Sequence, residues 1–293
     1  MLASELILNQ DGSVYHLGLK NGEVSPHIIT VGDPARVKRI GQHLHSIEFE
    51  RQKREFLTLT GLYKDLRLTV ISTGIGTDNI DIVFNELDAV LNIDLQERRI
   101  LDTLTSAKML RLGTTGSLRE SLAVDQFVSS RFAIGMEGLM EYYQRELSPK
   151  EKSLQSRFQQ FAEQDDALPN GWYVASSSER FADLIMETDI HQGITVTAKG
   201  FYGPQGRSLG RVKLTYPTLI DDLSNFLFDG YPVTNLEMET AGILGLGHAL
   251  GHQTASLSVA LANRVSGEFS ANPAQAVDHL IEEGLELMYQ WSR

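Results

Sequence analysis

Residues 27–36 read HIITVGDPAR, and their order decides how the chain is built. Four of the first five residues are β-branched, which predicts a short buried strand. Gly32 ends it. Asp33 then has the side chain of a helix N-cap, and Pro34 the fixed φ of a first helical residue. A strand that passes directly into a capped helix is half of a strand–helix–strand unit, so the rest of the chain is searched for the same pattern.

It recurs. RLTVIST (67–73) is followed by GIGTD and by a helix predicted from Asn79, where Ile80, Val83, Phe84, Leu87, Val90 and Leu91 fall at helical spacing. MLRLGTTG (109–116) reads as a strand running into a loop of small residues. TASLSVALAN (254–263) is a late buried strand. Pro273 opens a closing helix with Val277, Leu280, Ile281 and Met288 inward. Segment 91–108 is polar and irregular, and 144–170 is charged, Gln-rich and predicted to be a helical excursion. Neither has linker composition, and no repeat appears. The alternation predicts a single α/β layered domain over residues 1–293, with ligands gathered at the carboxyl ends of its strands.

Composition limits the function. The 293 residues carry a formal net charge of −12, with 42% hydrophobic and 22% charged residues. That balance is ordinary for a soluble globular protein and argues against nucleic acid or an anionic membrane as partner. No apolar run approaches a membrane span, and the first residues, MLASELILNQDG, lack a signal peptide's pattern. With no cysteine there is neither a disulfide nor a thiolate nucleophile. A reducing cytoplasm is the expected setting.

Several short stretches can carry chemistry, and each also has a plain structural reading. Gly32 before a helix N-terminus exposes backbone N–H groups, and Arg36 lies one turn on, where it could clamp the same anion. A capped turn with a solvated arginine explains them equally. In LRLGTTGS (110–117), Leu110 and Leu112 share one strand face, so Arg111 points to the other, either onto an exposed face or into a site. Gly113, Thr114, Thr115 and Gly116 offer amides and hydroxyls suited to an oxyanion. Gly74-x-Gly76 is not followed by a third glycine and reads as a tight strand-to-helix turn. His248 and His252 have the spacing of two helical metal ligands, but Gly251 signals the helix end, and no metal is expected. In NLEMET (235–240), Glu237 and Glu239 point the same way only if extended; otherwise they are acidic first-turn residues. Finally, FYGPQGR (201–207) is a Gly- and Pro-rich turn that nevertheless contains Gln205 and Arg207.

These pieces, in order with HLGL (16–19), REF (54–56) and ANR (262–264), resemble the nucleoside phosphorylase superfamily, and within it the uridine phosphorylases. The likeness runs from about Tyr15 to the last helix. It implies a three-layer αβα domain with a central mixed twisted sheet. Gly32, Arg36, Arg111 and Thr114 match a phosphate site, and Arg54 matches an arginine lent by a neighbouring subunit. Glu237, Met238 and Glu239 match a ribose segment, with Glu239 opposite the 2′-hydroxyl. His16 matches a histidine reaching across a dimer interface to the 5′-hydroxyl. Phe201, Gln205 and Arg207 match a uracil pocket. Arg264 stands where related purine enzymes carry a proton-donating Asp, a task closed to a guanidinium because its pKa is too high.

The resemblance therefore implies reversible phosphorolysis of uridine, with deoxyuridine and thymidine as related substrates, in pyrimidine salvage. Arg207, Gln205, Arg111 and Glu239 carry the reaction. Inorganic phosphate is the co-substrate and no cofactor is implied, although some members hold a monovalent cation between subunits near the position of Glu55. It also implies a homodimer sharing its active sites, and leaves assembly into a hexamer open. Val31 departs from the family's usual proline before GDP, GPQGR from the bacterial PGQER, and 92–108 is longer than in familiar bacterial forms. The alternatives are a purine nucleoside phosphorylase, a water-using nucleosidase, or a non-catalytic nucleoside sensor. A nucleosidase has no use for Arg36, Arg54 and Arg111 together, and a sensor would leave some of these positions unfilled.

Overall fold

Strand β1 (His27–Val31) and helix α1 (Pro34–Gly41) form as the sequence predicts, and the Asp33 side chain accepts a hydrogen bond from Ala35 N at 2.8 Å. The structure is a computed structural model that describes residues 1–164 and 168–293. After α1 come β2 (Ser46–Lys53), β3 (Phe56–Tyr63), β4 (Leu66–Ser72), α2 (Thr77–Asn92) and a small hairpin, β5 (Ile93–Asp94) with β6 (Arg99–Ile100). Then follow β7 (Lys108–Ser117), β8 (Phe127–Gly135), α3 (Pro149–Gln164), β9 (Tyr173–Ser176), α4 (Glu179–Met186) and β10 (His191–Thr197). The chain ends with α5 (Leu219–Ser224), β11 (Leu227–Phe228), β12 (Tyr231–Glu237), α6 (Thr240–Ala249), β13 (Gln253–Asn263) and α7 (Pro273–Ser292).

Four sequence expectations need correction or completion. Helix α2 starts at Thr77, two residues before Asn79, because Gly74 and Gly76 adopt positive φ and finish the turn early. The segment 91–108 takes in the end of α2 to Asn92 and the first residue of β7, and between them is irregular except for the β5–β6 hairpin. The excursion at 144–170 contains helix α3, while residues 165–167 lie outside the described residues. The largest correction concerns LGTTG, which is not a loop. Strand β7 continues through it to Ser117 because β13 pairs beside it from Gln253↔Lys108 to Asn263↔Ser117.

The main sheet runs β11-β12-β10-β8-β13-β7-β1-β4-β3-β2, with β9 added beside β8, and mixes parallel and antiparallel pairs. Strand alternation assigns its two faces. Ile29 and Val31 of β1, Leu110 and Leu112 of β7, and Leu257 and Val259 of β13 pack with Val37 of α1, Phe181 of α4 and Leu280 of α7. Ile28, Ile71 and Met109 face oppositely and join Ile80 and Phe84 of α2 and Ile243 of α6. Helices thus cover both faces, giving the α/β layered fold. Arg111 shares the face of Met109, so it points towards α2 and α6.

One half of the sheet curls until it meets itself. Strand β12 pairs with β10 on one side and, at Asn235↔Ser117 and Leu236↔Gly116, with the end of β7 on the other. The strands β12, β10, β8, β13 and β7 therefore form a closed ring. Thr115 Oγ1 clasps the seam, donating to Leu236 O at 2.7 Å and accepting from Asn235 Nδ2 at 2.9 Å. This closure sets the carboxyl end of β12 against that of β7, where the candidate ligand-binding positions fall.

Gly284 lets α7 lie close to the sheet, since a Cβ there would overlap the Leu112 side chain. Replacing a helical glycine with alanine normally adds about 1 kcal/mol. Overpacking a filled core removes about 1–3 kcal/mol. Gly284→Ala should therefore lower the urea midpoint of unfolding; a raised midpoint would show that Leu112 has room to move.

Candidate active site

A cavity of about 680 Å³ opens at the carboxyl ends of β1, β4, β7, β12 and β13. Gly32, Arg36, Arg111, Thr114, Phe201, Gln205, Arg207, Glu237, Met238 and Glu239 all line it. The structure thus brings together residues that lie up to 207 positions apart in the chain.

Its first end is built for an anion. Helix α1 begins there behind Gly32, and Gly32, Asp33, Pro34 and Arg36 line the space, so the positive end of its dipole faces it. Arg36 Nη1 is anchored on Leu112 O at 3.0 Å. Burial, and next the neighbouring charge of Arg111, lower its pKa to about 10. Arg111 is only 7% exposed, not on an open face. Its guanidinium folds along the strand over Gly113, the next residue on the same face, where a Cβ would overlap Nη1. Ser258 of β13 accepts from Nη1 at 3.2 Å.

Two carboxylates meet this guanidinium. Arg111 Nη2 lies 2.7 Å from Glu239 Oε2 and 3.1 Å from Glu237 Oε2. Burial would lower the Arg111 pKa, but Glu237 and Glu239 together raise it. Glu239 stays above the usual carboxylate range because burial outweighs the pull of Arg111, and Glu237 adds repulsion. The two acids differ in duty. Glu237 ends β12 and accepts from Glu239 N at 2.8 Å, Thr240 N at 2.9 Å and Thr197 Oγ1 at 2.5 Å. Its side chain caps α6; Glu237 is extended at the end of β12 and Glu239 is the N-cap residue of α6, so neither is a first-turn residue of the helix. Among the described residues Glu239 accepts only from Gly76 N, at 2.7 Å, and from Arg111, and keeps lone pairs for a ligand.

The far end is formed by Phe201–Arg207 and by Leu261, Ala262 and Phe269. Gly206 takes φ +66 to close the turn after a short 3₁₀ segment. The Arg207 guanidinium lies over the Phe201 ring, 4.0 Å from its centroid. Its Nη1 donates to Phe201 O at 2.8 Å and to Gln205 Oε1 at 2.6 Å. Arg264 does not line the cavity but donates to Gln205 O at 2.9 Å, supporting the loop from behind. Gln205 is 2% exposed and held by both arginines. Burial lowers the pKa of Arg207 and Arg264, and for Arg207 the nearby Arg264 charge lowers it further while Tyr202 acts in the opposite direction. This end therefore offers donors to carbonyl oxygens.

Two expected residues lie elsewhere on the chain. His16 and Arg54 are not among the cavity's lining residues; they sit on either side of Tyr15, whose ring is 4.9 Å from the His16 ring and 5.9 Å from the Arg54 guanidinium. Glu55 is exposed beside Asn79, 3.4 Å from its Nδ2. His248 and His252 do not converge, since α6 ends at Ala249 and His252 accepts from Ala107 N. Sequence reasoning missed the Gly76 amide, Ser258 and the apolar wall of Leu261, Ala262 and Phe269. Gly113 could have been found, because an i, i+2 pair on a strand shares a face.

Residues 26–286 match the phosphorylase superfamily. The chain is 26% identical over 292 residues to the uridine phosphorylase of Thermococcus kodakarensis, covering 99% of this chain and 92% of that one. It is 24% identical over 278 residues to a DeoD-type purine nucleoside phosphorylase of Lactococcus lactis, covering 93% and 97%. Among solved structures, the Trypanosoma brucei nucleoside phosphorylase, which shows uridine phosphorylase activity, superposes with a TM-score of 0.87 at 31% identity, covering 97% and 99%.

Gly113→Ala should push Arg111 out of its seat and weaken inorganic phosphate binding at least tenfold, roughly the worth of one charge-assisted hydrogen bond. Titration calorimetry with phosphate checks this, and unchanged affinity would mean that Arg111 does not need the space.

Proposed function

Because this chain belongs to the phosphorylase superfamily, and is a pentosyltransferase of it, we propose that its substrates are uridine and inorganic phosphate. The observation that carries the uracil assignment is the donor-rich base end: Gln205 and Arg207 fixed side by side, with Arg264 behind them. Uracil presents two carbonyl oxygens and one ring N–H. The Gln205 amide N–H and the Arg207 guanidinium suit the carbonyls, and the second lone pair of Gln205 Oε1 suits the ring N–H. The relatives include both uridine and purine enzymes, so the choice of base rests on this loop.

In the proposed reaction a phosphate oxygen attacks C1′ of the ribose, the C1′–N1 bond breaks, and its electron pair leaves with the uracil. Arg36, Arg111, Thr114 and the Gly32 turn hold phosphate in line with C1′, a contribution of position. Glu239 accepts the 2′-hydroxyl, and Met238 packs below the sugar. Charge grows on the departing base as the bond lengthens, and Arg207 donates where it accumulates, so that contact strengthens in the transition state. Phosphate is itself the nucleophile, which removes the need for a covalent side-chain nucleophile. His16 and Arg54, displaced together from their own chain's cavity, suit a homodimer in which each lends them to its partner.

Separation of free base from nucleoside after incubation with uridine, thymidine, inosine and adenosine, with and without phosphate, tests this reading. Phosphate-dependent release of uracil is expected. Release without phosphate would indicate a nucleosidase, and release of hypoxanthine or adenine alone a purine phosphorylase. Arg207→Ala should lose turnover by about a hundredfold, the usual effect of removing one donor to developing charge. Phe201→Ala should chiefly raise KM for the nucleoside. Near-normal turnover in Arg207→Ala would sink the leaving-group role.

A further inference from the structure

Helix α2 carries a carboxylate that the reaction as described does not use. Glu86 lies midway along α2, and its side chain is 15% exposed. Both oxygens are committed to one short stretch of the N-terminal segment. Oε1 lies 2.9 Å from His16 N and 2.7 Å from His16 Nδ1, and Oε2 lies 2.7 Å from Leu17 N. Neighbouring contacts hold the same stretch in place: Val14 N donates to Leu19 O, Gly18 N donates to Val14 O, and Gly18 takes φ +67. Leu17 and Leu19 are buried against α2. The backbone of residues 16 and 17 is thus pinned to a helix of the rigid core.

We propose that Glu86 is a positioning residue that fixes the tautomer and direction of His16, and so acts on the 5′-hydroxyl of the nucleoside through it. An ionised carboxylate only accepts, so His16 Nδ1 must carry the proton and donate to Glu86 Oε1. In a neutral imidazole the other nitrogen, Nε2, is then the acceptor. The His16 side chain is 29% exposed, and its Nε2 has no hydrogen-bond partner among the described residues, which is what a hydroxyl donor requires. The T-shaped contact with Tyr15 supports the ring from the side. Without Glu86 the ring could exchange tautomers or rotate, and Nε2–H would then compete with the hydroxyl as a donor. The inference rests on the proposed reading that His16 serves a nucleoside site, and adds the group that makes it serve as an acceptor.

The test compares uridine with 5′-deoxyuridine, which lacks the hydroxyl in question, at saturating phosphate. Glu86→Gln keeps the size and an acceptor oxygen but loses the charge that dictates the tautomer. It should lower kcat/KM for uridine by about tenfold and change the value for 5′-deoxyuridine less than about twofold. His16→Ala should show the same selective loss, and the double variant should be no worse than His16→Ala alone, because both act through one contact. Equal losses on both nucleosides would reveal a structural role for Glu86 and overturn the proposal. So would a normal Glu86→Gln beside a defective His16→Ala, or additive losses in the double variant. An enzyme that releases hypoxanthine instead of uracil overturns the base assignment alone; the comparison then uses inosine and 5′-deoxyinosine with the same outcomes deciding Glu86. Release of no base from any nucleoside overturns both.

Discussion

The ion pair between Arg111 and Glu239, seconded by Glu237, is the constraint on which the rest of the site depends. A buried guanidinium without a partner is strongly unfavourable, and so is either carboxylate. Here Arg111 is at once part of the proposed anion site and the counter-charge that lets two acids stand between β12 and α6. Glu237 in turn ties β12 to α6 through two backbone N–H groups. Removing Arg111 would leave two buried like charges, and removing Glu237 would uncap a buried helix. Neither change would be confined to ligand binding.

The balance of charge shows why the arrangement tolerates an anion. Arg36 and Arg111 face Glu237 and Glu239, so the four groups are formally neutral before any ligand arrives. The sharing is uneven, however, since both carboxylates crowd Arg111 while Arg36 rests on a backbone carbonyl. Its lowered pKa records burial and the repulsion of Arg111, and an anion at Gly32 would oppose both effects. The closed strand ring maintains this unevenness. Thr115 and Asn235 lock β7 to β12, which ends at Glu237, and the Glu237 side chain is held there by Thr197 and by the N–H groups of Glu239 and Thr240.

Much of the fold was legible in the sequence because it depends on local signals. The capped turn at 33–34, the helical spacing from Ile80 to Leu91 and the closing helix from Pro273 are properties of adjacent residues. The ring closure was not legible, because it rests on pairing between residues 116–117 and 235–236, more than a hundred positions apart. That is why LGTTG read as a loop: its two glycines lower strand propensity, and only the pairing with a neighbouring strand overcomes them. The polar residues of the site could be proposed from motifs that keep side chains of contrasting character together. The apolar wall of Leu261, Ala262 and Phe269 carries no such mark, and Glu86 was hidden within an amphipathic helix where an acidic residue ordinarily means a solvated face.

The loop at 201–207 shows how a site can be prepared before its ligand binds. Its glycines and proline fix the bend, but a bend alone would leave two long polar side chains free to wander. Instead Arg207 lies on Phe201, holds the carbonyl end of Gln205 and touches the backbone of its own loop, while Arg264 grips Gln205 from the opposite side. Most of the conformational entropy of these side chains is therefore lost on folding, not on binding. The same contacts leave the remaining N–H groups of Arg207 without an internal acceptor among the described residues. A donor that is already ordered and still unsatisfied is suited to charge that appears only as a bond breaks, because no reorganisation is needed at that moment.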